Sequence, residues 1–283
     1  MLGQQSTNTP IVIAGPCMAE SLPILKEALE FLLKLSDKLQ FNLVFKASFD
    51  KANRTSIHSY RGPGLNETMA WFAELKTEYN CNIITDVHET HEVEKIKDYC
   101  DAIQIPAFLC RQTDLVTEAA KTGKWINIKK GQFMAPSAMK HIVDKAEMTC
   151  KQNKLPPKIS LTERGACFGY GDLIVDMRSL AIMAESKAPI FFDITHSTQK
   201  PPHGDGRGTS GALRKYAPLL ARSAAASGYV SGFFLETHPN PQMAKSDADA
   251  QLNFEQAEKI LTQILPLMKE CNEYAQVDNY FID

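Results

Sequence analysis

The feature that most limits what this chain can become is an alternation. Short apolar, β-branched runs recur along it, and each is followed by a longer stretch with apolar residues at helical spacing. The runs are IVIAG (11–15), LVFKASF (43–49), NIITDVH (82–88), AIQIPAF (102–108), WINIKK (125–130), KISLTE (158–163), IFFDITH (190–196) and SGFFLETH (231–238). Amphipathic segments follow them at 24–39, 65–79, 92–99, 114–123, 136–152, 173–186, 211–228 and 253–275. Near-continuous apolar strands separated by helices predict a parallel sheet with both faces covered. Eight such units in 283 residues predict an α/β fold, a closed (β/α)8 barrel rather than a doubly wound open sheet. No linker, low-complexity tract or sequence repeat marks a second domain, so one catalytic domain over 1–283 is expected.

Composition narrows the function. A hydrophobic content of 44% and a charged content of 23% are ordinary for a globular enzyme. The formal net charge of −2 gives no general attraction for nucleic acid or an anionic membrane, so neither is expected as a partner. Any anion site must be built locally. The N-terminus, MLGQQSTNTP, lacks the basic and apolar regions of a secretory signal, and no run of about 18 apolar residues could span a bilayer. Seven cysteines (17, 81, 100, 110, 150, 167, 271) form an odd set without a CxxC pair. That pattern argues against a disulfide scaffold and fits a reducing cytosol, so a cytoplasmic location is expected. Most of these cysteines should be small buried hydrophobes.

Barrel enzymes carry their chemistry at the C-terminal ends of the strands. Here those ends hold Gly15, Pro16 and Cys17, then Lys46 and Ser48, then Asp86 and His88. Gln104, Lys129, Lys130, Glu163, Arg164, His196, Glu236 and His238 complete the series. A strand buried on both faces should be apolar, so polar groups at nearly every strand end predict a catalytic cavity. Lys46, Lys51, Arg54, Arg111, Lys129 and Arg164 are the cations available there, which suits substrates bearing carboxylate or phosphate. Arg164 is expected in a solvated cavity mouth. The segment KPPHGDGRGTSGALRK (200–215), rich in Gly, Pro and charge, reads as a mobile lid.

Several stretches go further. FKASFDKANRTSIHSYRGPGL (45–65), IAGPCMAES (13–21), ITDVHE (84–89), QIPAFLCRQTDL (104–115), NIKKGQF (127–133), LTERGACFGY (161–170), DITHSTQ (193–199) and ETHPNPQMAKSDA (236–248) appear in order, one per loop. Together they resemble the metal-dependent 3-deoxy-D-manno-octulosonate 8-phosphate synthases. Thr55 stands where many members have Ser and Gly131 where several have Pro; neither change removes a functional group. The resemblance implies condensation of phosphoenolpyruvate with D-arabinose 5-phosphate in lipopolysaccharide biosynthesis, by a homotetramer in which a neighbour's loop closes part of the site. It places Lys46, Ser48 and Lys51 near the enolpyruvate carboxylate. Lys129, Arg164, Arg111 and the backbone near Ala107 go to its phosphate, and Asn53, Arg54 and Thr55 to the pentose phosphate. Gln104 and Phe108 would line the pocket. Asp86, His196 and Glu236 are the candidate proton handlers, with Lys46 as a catalytic cation.

The resemblance also implies one divalent metal ion, with Cys17, His196, Glu236 and Asp247 as ligands. Metal-independent members carry Asn at the position of Cys17. Thiolate, imidazole and carboxylates suit zinc, iron(II), manganese or cobalt. Three other functions compete. A heptulosonate 7-phosphate synthase would accept erythrose 4-phosphate, but its Lys-Pro-Arg is replaced here by Lys-Ala-Asn-Arg. The others are a Schiff-base lyase and a non-catalytic sugar-phosphate-binding barrel.

Overall fold

The computed structural model describes residues 9–54, 56–166, 171–200 and 213–275. Its strands are β1 (Ile11–Gly15), β2 (Asn42–Lys46), β3 (Asn82–Asp86), β4 (Ala102–Ile105), β5 (Trp125–Lys129), β6 (Ile159–Glu163), β7 (Ile190–Asp193) and β8 (Gly232–Glu236). Each is followed by a helix: α1 (Leu22–Leu39), α2 (Leu65–Tyr79), α3 (Thr90–Ile96), α4 (Thr113–Lys121), α5 (Met139–Gln152), α6 (Arg178–Ala184), α7 (Ala217–Ala226) and α8 (Phe254–Ala275). All neighbouring strands are parallel, and β8 pairs back onto β1 to close the barrel. The expected eight-fold barrel is therefore what these residues form.

Successive side chains on a strand face opposite ways, and this period divides the molecule into two cores. Outward residues such as Ile126, Ile128, Phe192 and Phe233 join the large apolar layer against the helices. Inward residues Ile13, Val44, Ile84, Ala102, Trp125, Phe191 and Phe234 fill the barrel itself. Nearer the C-terminal end of the barrel, the inward positions are Lys46, Asp86, Gln104, Lys129, Asp193 and Glu236, all buried. An apolar plug thus forms the floor on which the polar groups stand. Two charged strand-end residues point the other way. Lys130 and Glu163 pair at 3.4 Å, and both line a separate cavity of about 330 Å³ with Ser179. Neither belongs to the central cavity, although each was read among the strand-end charges.

Closure depends on a missing side chain. A Cβ on Gly232 would lie 2.1 Å from the Ile11 carbonyl oxygen and 2.7 Å from the Phe191 ring. Helix ends follow ordinary chemistry: Pro23 sits at the start of α1, and Asn80 ends α2 in the left-handed conformation that Asn tolerates (φ 49°).

The sixth helix departs from expectation. The amphipathic pattern predicts it over 173–186, yet α6 begins only at Arg178. Ile174 instead forms an antiparallel bridge with Ala166, with hydrogen bonds of 3.0 and 3.1 Å. The β-branched Ile174 and Val175 suit this extended turn. Asp176 then accepts the Arg178 backbone N–H at 3.0 Å and sets the start of the helix. Of the expected lid, residues 201–212 lie outside the described residues.

Candidate active site

The C-terminal ends of the strands enclose a cavity of about 590 Å³. Lys46, Lys51, Asn53 and Arg54 reach it from β2 and the loop that follows. Asp86, Gln104, Ala107, Phe108 and Lys129 line the adjoining wall, and Arg164, His196, Glu236 and Asp247 the remainder. Phe108 stays 53% exposed, so it forms a rim rather than an enclosed wall. Cys17 and Ser48 are fully buried beneath the lining, where the Ser48 hydroxyl accepts from the Lys51 ammonium at 3.0 Å. Thr55 lies outside the described residues.

Two expectations need correction. Arg111 is exposed and does not line its own cavity; the short turn Ala107–Leu109 carries the chain outward before it. Arg164 does not stand in a solvated mouth. It is 4% exposed, and its guanidinium donates to the Gln199 side-chain oxygen and, at 3.5 Å, to the His196 carbonyl.

The cations arrive already matched with carboxylates. Lys46 donates to Glu236 Oε1 at 2.8 Å and to the Cys17 carbonyl at 3.0 Å. Lys129 donates to Asp193 Oδ2 at 2.5 Å and lies 3.3 Å from the centroid of the Phe234 ring. Burial presses the Lys129 pKa below its ordinary value despite the attraction of Asp193 and Glu236. Desolvation alone would do the same to Lys51, but the charges around it, Glu236, Asp86 and Asp247 among them, more than reverse the effect.

Asp193 is a functional residue that the strand-end reading passed over. Its Oδ1 accepts from the backbone of Thr195 and His196 at 3.1 and 2.8 Å, and from the Thr195 hydroxyl at 3.1 Å. Its Oδ2 lies 2.8 Å from His196 Nδ1, which therefore carries the proton. His196 Nε2 faces Glu236 Oε2 at 3.5 Å and Asp247 Oδ2 at 3.7 Å, so it is the nitrogen that would give up its proton to a bound cation. The signal was present in the sequence as a charge ending the apolar run IFFD.

Beside His196, one ligand atom each from Cys17, Glu236 and Asp247 lies within 4.8 Å of the others. Glu236 Oε2 is buried and has no hydrogen-bond partner. Burial, then the charge of Glu236, pushes the Cys17 thiol far above its ordinary range, so the site as it stands holds an uncharged thiol among carboxylates. Asp247 is held well below the usual carboxylate range: burial opposes this, and the His196 hydrogen bond and charge outweigh it. These are donors that a divalent cation would satisfy, since it would ionise the thiol and complete the orphaned carboxylate oxygen. Gln251 braces the cluster, accepting from the Cys17 backbone at 3.0 Å and donating to the Ser246 carbonyl at 2.8 Å. Its contribution was invisible in sequence because it pairs positions more than two hundred residues apart.

Two kinds of comparison with known proteins show the family. The model of the DAHP synthetase I family matches residues 3–274. The 2-dehydro-3-deoxyphosphooctonate aldolase of Helicobacter hepaticus is 52% identical over 244 residues, covering 84% of this chain and 88% of that protein. Proteins of the same name from Fusobacterium nucleatum and Rickettsia bellii are 49% and 46% identical, over 89% of this chain and 87% and 89% of theirs. Matched across nearly all of its barrel by both kinds of comparison, the chain belongs to the DAHP synthetase I family, among its 2-dehydro-3-deoxyphosphooctonate aldolases.

Proposed function

We propose that the protein condenses phosphoenolpyruvate with D-arabinose 5-phosphate and water to give 3-deoxy-D-manno-octulosonate 8-phosphate and inorganic phosphate, for lipopolysaccharide synthesis. Octulosonate 8-phosphate synthase is another name for the enzyme that its relatives are named as. The observation that carries this reading is a single cavity in which Lys46, Lys51, Arg54, Lys129 and Arg164 face Asp86, Glu236 and Asp247. Two phosphates and a carboxylate need that density of cations, and the condensation needs proton acceptors beside them.

Each part of the chain has a task in this scheme. Lys129 and Arg164 take the phosphate of phosphoenolpyruvate, and Lys46 and Lys51 its carboxylate, with Ser48 reaching it only through the Lys51 ammonium that it holds. Asn53 and Arg54 take the pentose phosphate; Arg54 is held for it by the Tyr60 and Lys245 carbonyls at 3.0 and 2.8 Å. The enol carbon C3 then attacks the aldose carbonyl, water adds at C2, and phosphate leaves by C–O cleavage. Asp86 Oδ1 is buried without a hydrogen-bond partner, which suits it to accept a proton or a hydroxyl hydrogen bond. Ion-paired Lys46 and Lys129 act as cations, so no Schiff base is involved. A divalent ion held by Cys17, His196, Glu236 and Asp247, whether zinc, iron(II), manganese or cobalt, would supply Lewis-acid polarisation at the cavity wall.

The same reading makes the protein a cytoplasmic homotetramer. Arg111, exposed and outside its own cavity, is then available to a neighbouring subunit, as is the exposed rim residue Phe108. Among the described residues no helix is long and apolar enough to cross a membrane.

Acceptor choice tests the reading. The Asn53 amide can hydrogen-bond a sugar hydroxyl where a proline could not. Release of phosphate from phosphoenolpyruvate should favour arabinose 5-phosphate over erythrose 4-phosphate by at least about tenfold in kcat/KM, which needs only ~1.4 kcal/mol of transition-state discrimination. Equal values would reject it.

A further inference from the structure

Helix α3 opens with a capping box. The Glu92 side chain accepts the backbone N–H of Glu89 at 3.0 Å, as such a residue should three positions into a helix. Its Oε2 has a second engagement that capping does not require. It accepts the His88 backbone N–H at 2.7 Å and lies 3.6 Å from His88 Nδ1. That separation is too long for a direct hydrogen bond, and Nδ1 has no other hydrogen-bond partner, so the contact is one of charge. On its other side, His88 Nε2 meets Asp86 Oδ2 at 3.2 Å. The side chains of Asp86, His88 and Glu92 are 9%, 10% and 12% exposed. They form a carboxylate–imidazole–carboxylate chain from the cavity to the outside of the barrel.

The remaining neighbours of the chain are few. From the loop after β2, the Phe49 ring packs T-shaped on the imidazole, with centroids 5.6 Å apart and planes at 72°. Lys51 and Lys46 act on Asp86 from the cavity side. Arg61, paired with Asp50, is the cation that feels Glu92 from outside. Among the described residues no cation stands between Glu92 and the imidazole that would cancel their attraction.

We propose that Glu92, outside the reaction cavity, is a positioning residue acting through His88 on Asp86. The second carboxylate keeps the imidazole charged and oriented, and the imidazolium in turn keeps Asp86 ionised with its free oxygen toward the substrates. Burial by itself works against charge on His88; the hydrogen bond to Asp86 and then the contact with Glu92 outweigh it, raising the group to about 9. The inference deepens the synthase reading, and its kinetic arm rests on that reading.

Glu92→Gln separates charge from capping, because glutamine serves equally at this position of a capping box. Histidine titrations followed by NMR on 15N-histidine-labelled protein need no substrate, so they test the coupling even if the assigned reaction is wrong. Absence of turnover with arabinose 5-phosphate in the wild type would reject the reaction and leave the coupling standing. In the Gln variant the His88 midpoint should fall by about one pH unit. The alkaline limb of kcat/KM should fall with it while the melting temperature stays close to the wild type's. An unchanged His88 midpoint and pH profile in Glu92→Gln would reduce Glu92 to a helix cap and overturn the proposal. The wild type provides a check that needs no variant: a His88 midpoint at or below about 6.5, the ordinary histidine value, overturns it too.

Discussion

Asp193 concentrates the chemistry of this site in one side chain. It is fully buried, pairs with Lys129, and sets both the tautomer and the orientation of His196. Asp193→Asn keeps the volume and removes the charge. Loss of one partner from a buried pair costs about 3–5 kcal/mol. Loss of the group that orients a ligating histidine lowers metal affinity or activity about 10–100-fold. The variant should therefore show a reduced melting temperature and a matching fall in kcat; wild-type values for both would contradict the role given to it. Cys17 makes the complementary test. Cys17→Ala should fold, because the apolar layers stand without it, yet lose most bound metal by elemental analysis and most activity. Cys17→Asn should regain only part of that activity, since on the proposed assignment His196, Glu236 and Asp247 would still need a cation. Full turnover by exhaustively chelated wild type, with no metal detectable, would refute the metal assignment.

At the scale of elements, the order of strands and helices was readable because period-two and helical patterns are local properties of sequence. β1 and α2 fall where the pattern puts them, at Ile11–Gly15 and Leu65–Tyr79. α6 does not, because the pairing of Ile174 with Ala166 is a tertiary contact that overrides an amphipathic pattern. The site divides in the same way. Lys46, Asp86 and Glu236 were visible as charges in apolar runs. The brace of Gln251 on Cys17 and the bond from Arg164 to Gln199 depend on which strands become neighbours. The direction of a side chain is equally hard to see: Lys129 and Lys130 are adjacent, yet they serve different cavities. Gly232 bears on closure of the whole sheet. Since its Cβ would overlap the Ile11 carbonyl, Gly232→Ala should force β8 away from β1 and cost about 3 kcal/mol. Chemical denaturation would measure it, and a midpoint like the wild type's would show that the closing strands yield freely.

The whole molecule should record its buried charges in the pH dependence of stability. Asp86, Asp193, Glu236 and Asp247 are all lowered from their ordinary values, Glu236 to about 2. For Glu236, burial opposes the shift, and Lys46, His196 and Lys51 outweigh it. A group lowered on folding contributes stability above its unfolded value of about 4, and that contribution is lost as pH falls through the folded value. His88 has the opposite sign. Raised to about 9, it stabilises the fold below its unfolded value and ceases to do so as pH rises through 9. Melting temperatures should thus be highest between about pH 5 and pH 6.5, falling on the acid side first through the carboxylates. Calorimetry across that range checks it, and a maximum above pH 9 would show the sign to be wrong. The pairing that produces this curve also governs admission to the cavity. Lys46 and Lys129 are engaged with Glu236 and Asp193 before any substrate arrives, so a visitor must outbid a resident carboxylate. In the proposed reaction phosphoenolpyruvate, which bears a carboxylate and a phosphate together, would compete with both carboxylates at once, so the barrel mouth would respond to the density of negative charge before it responds to shape.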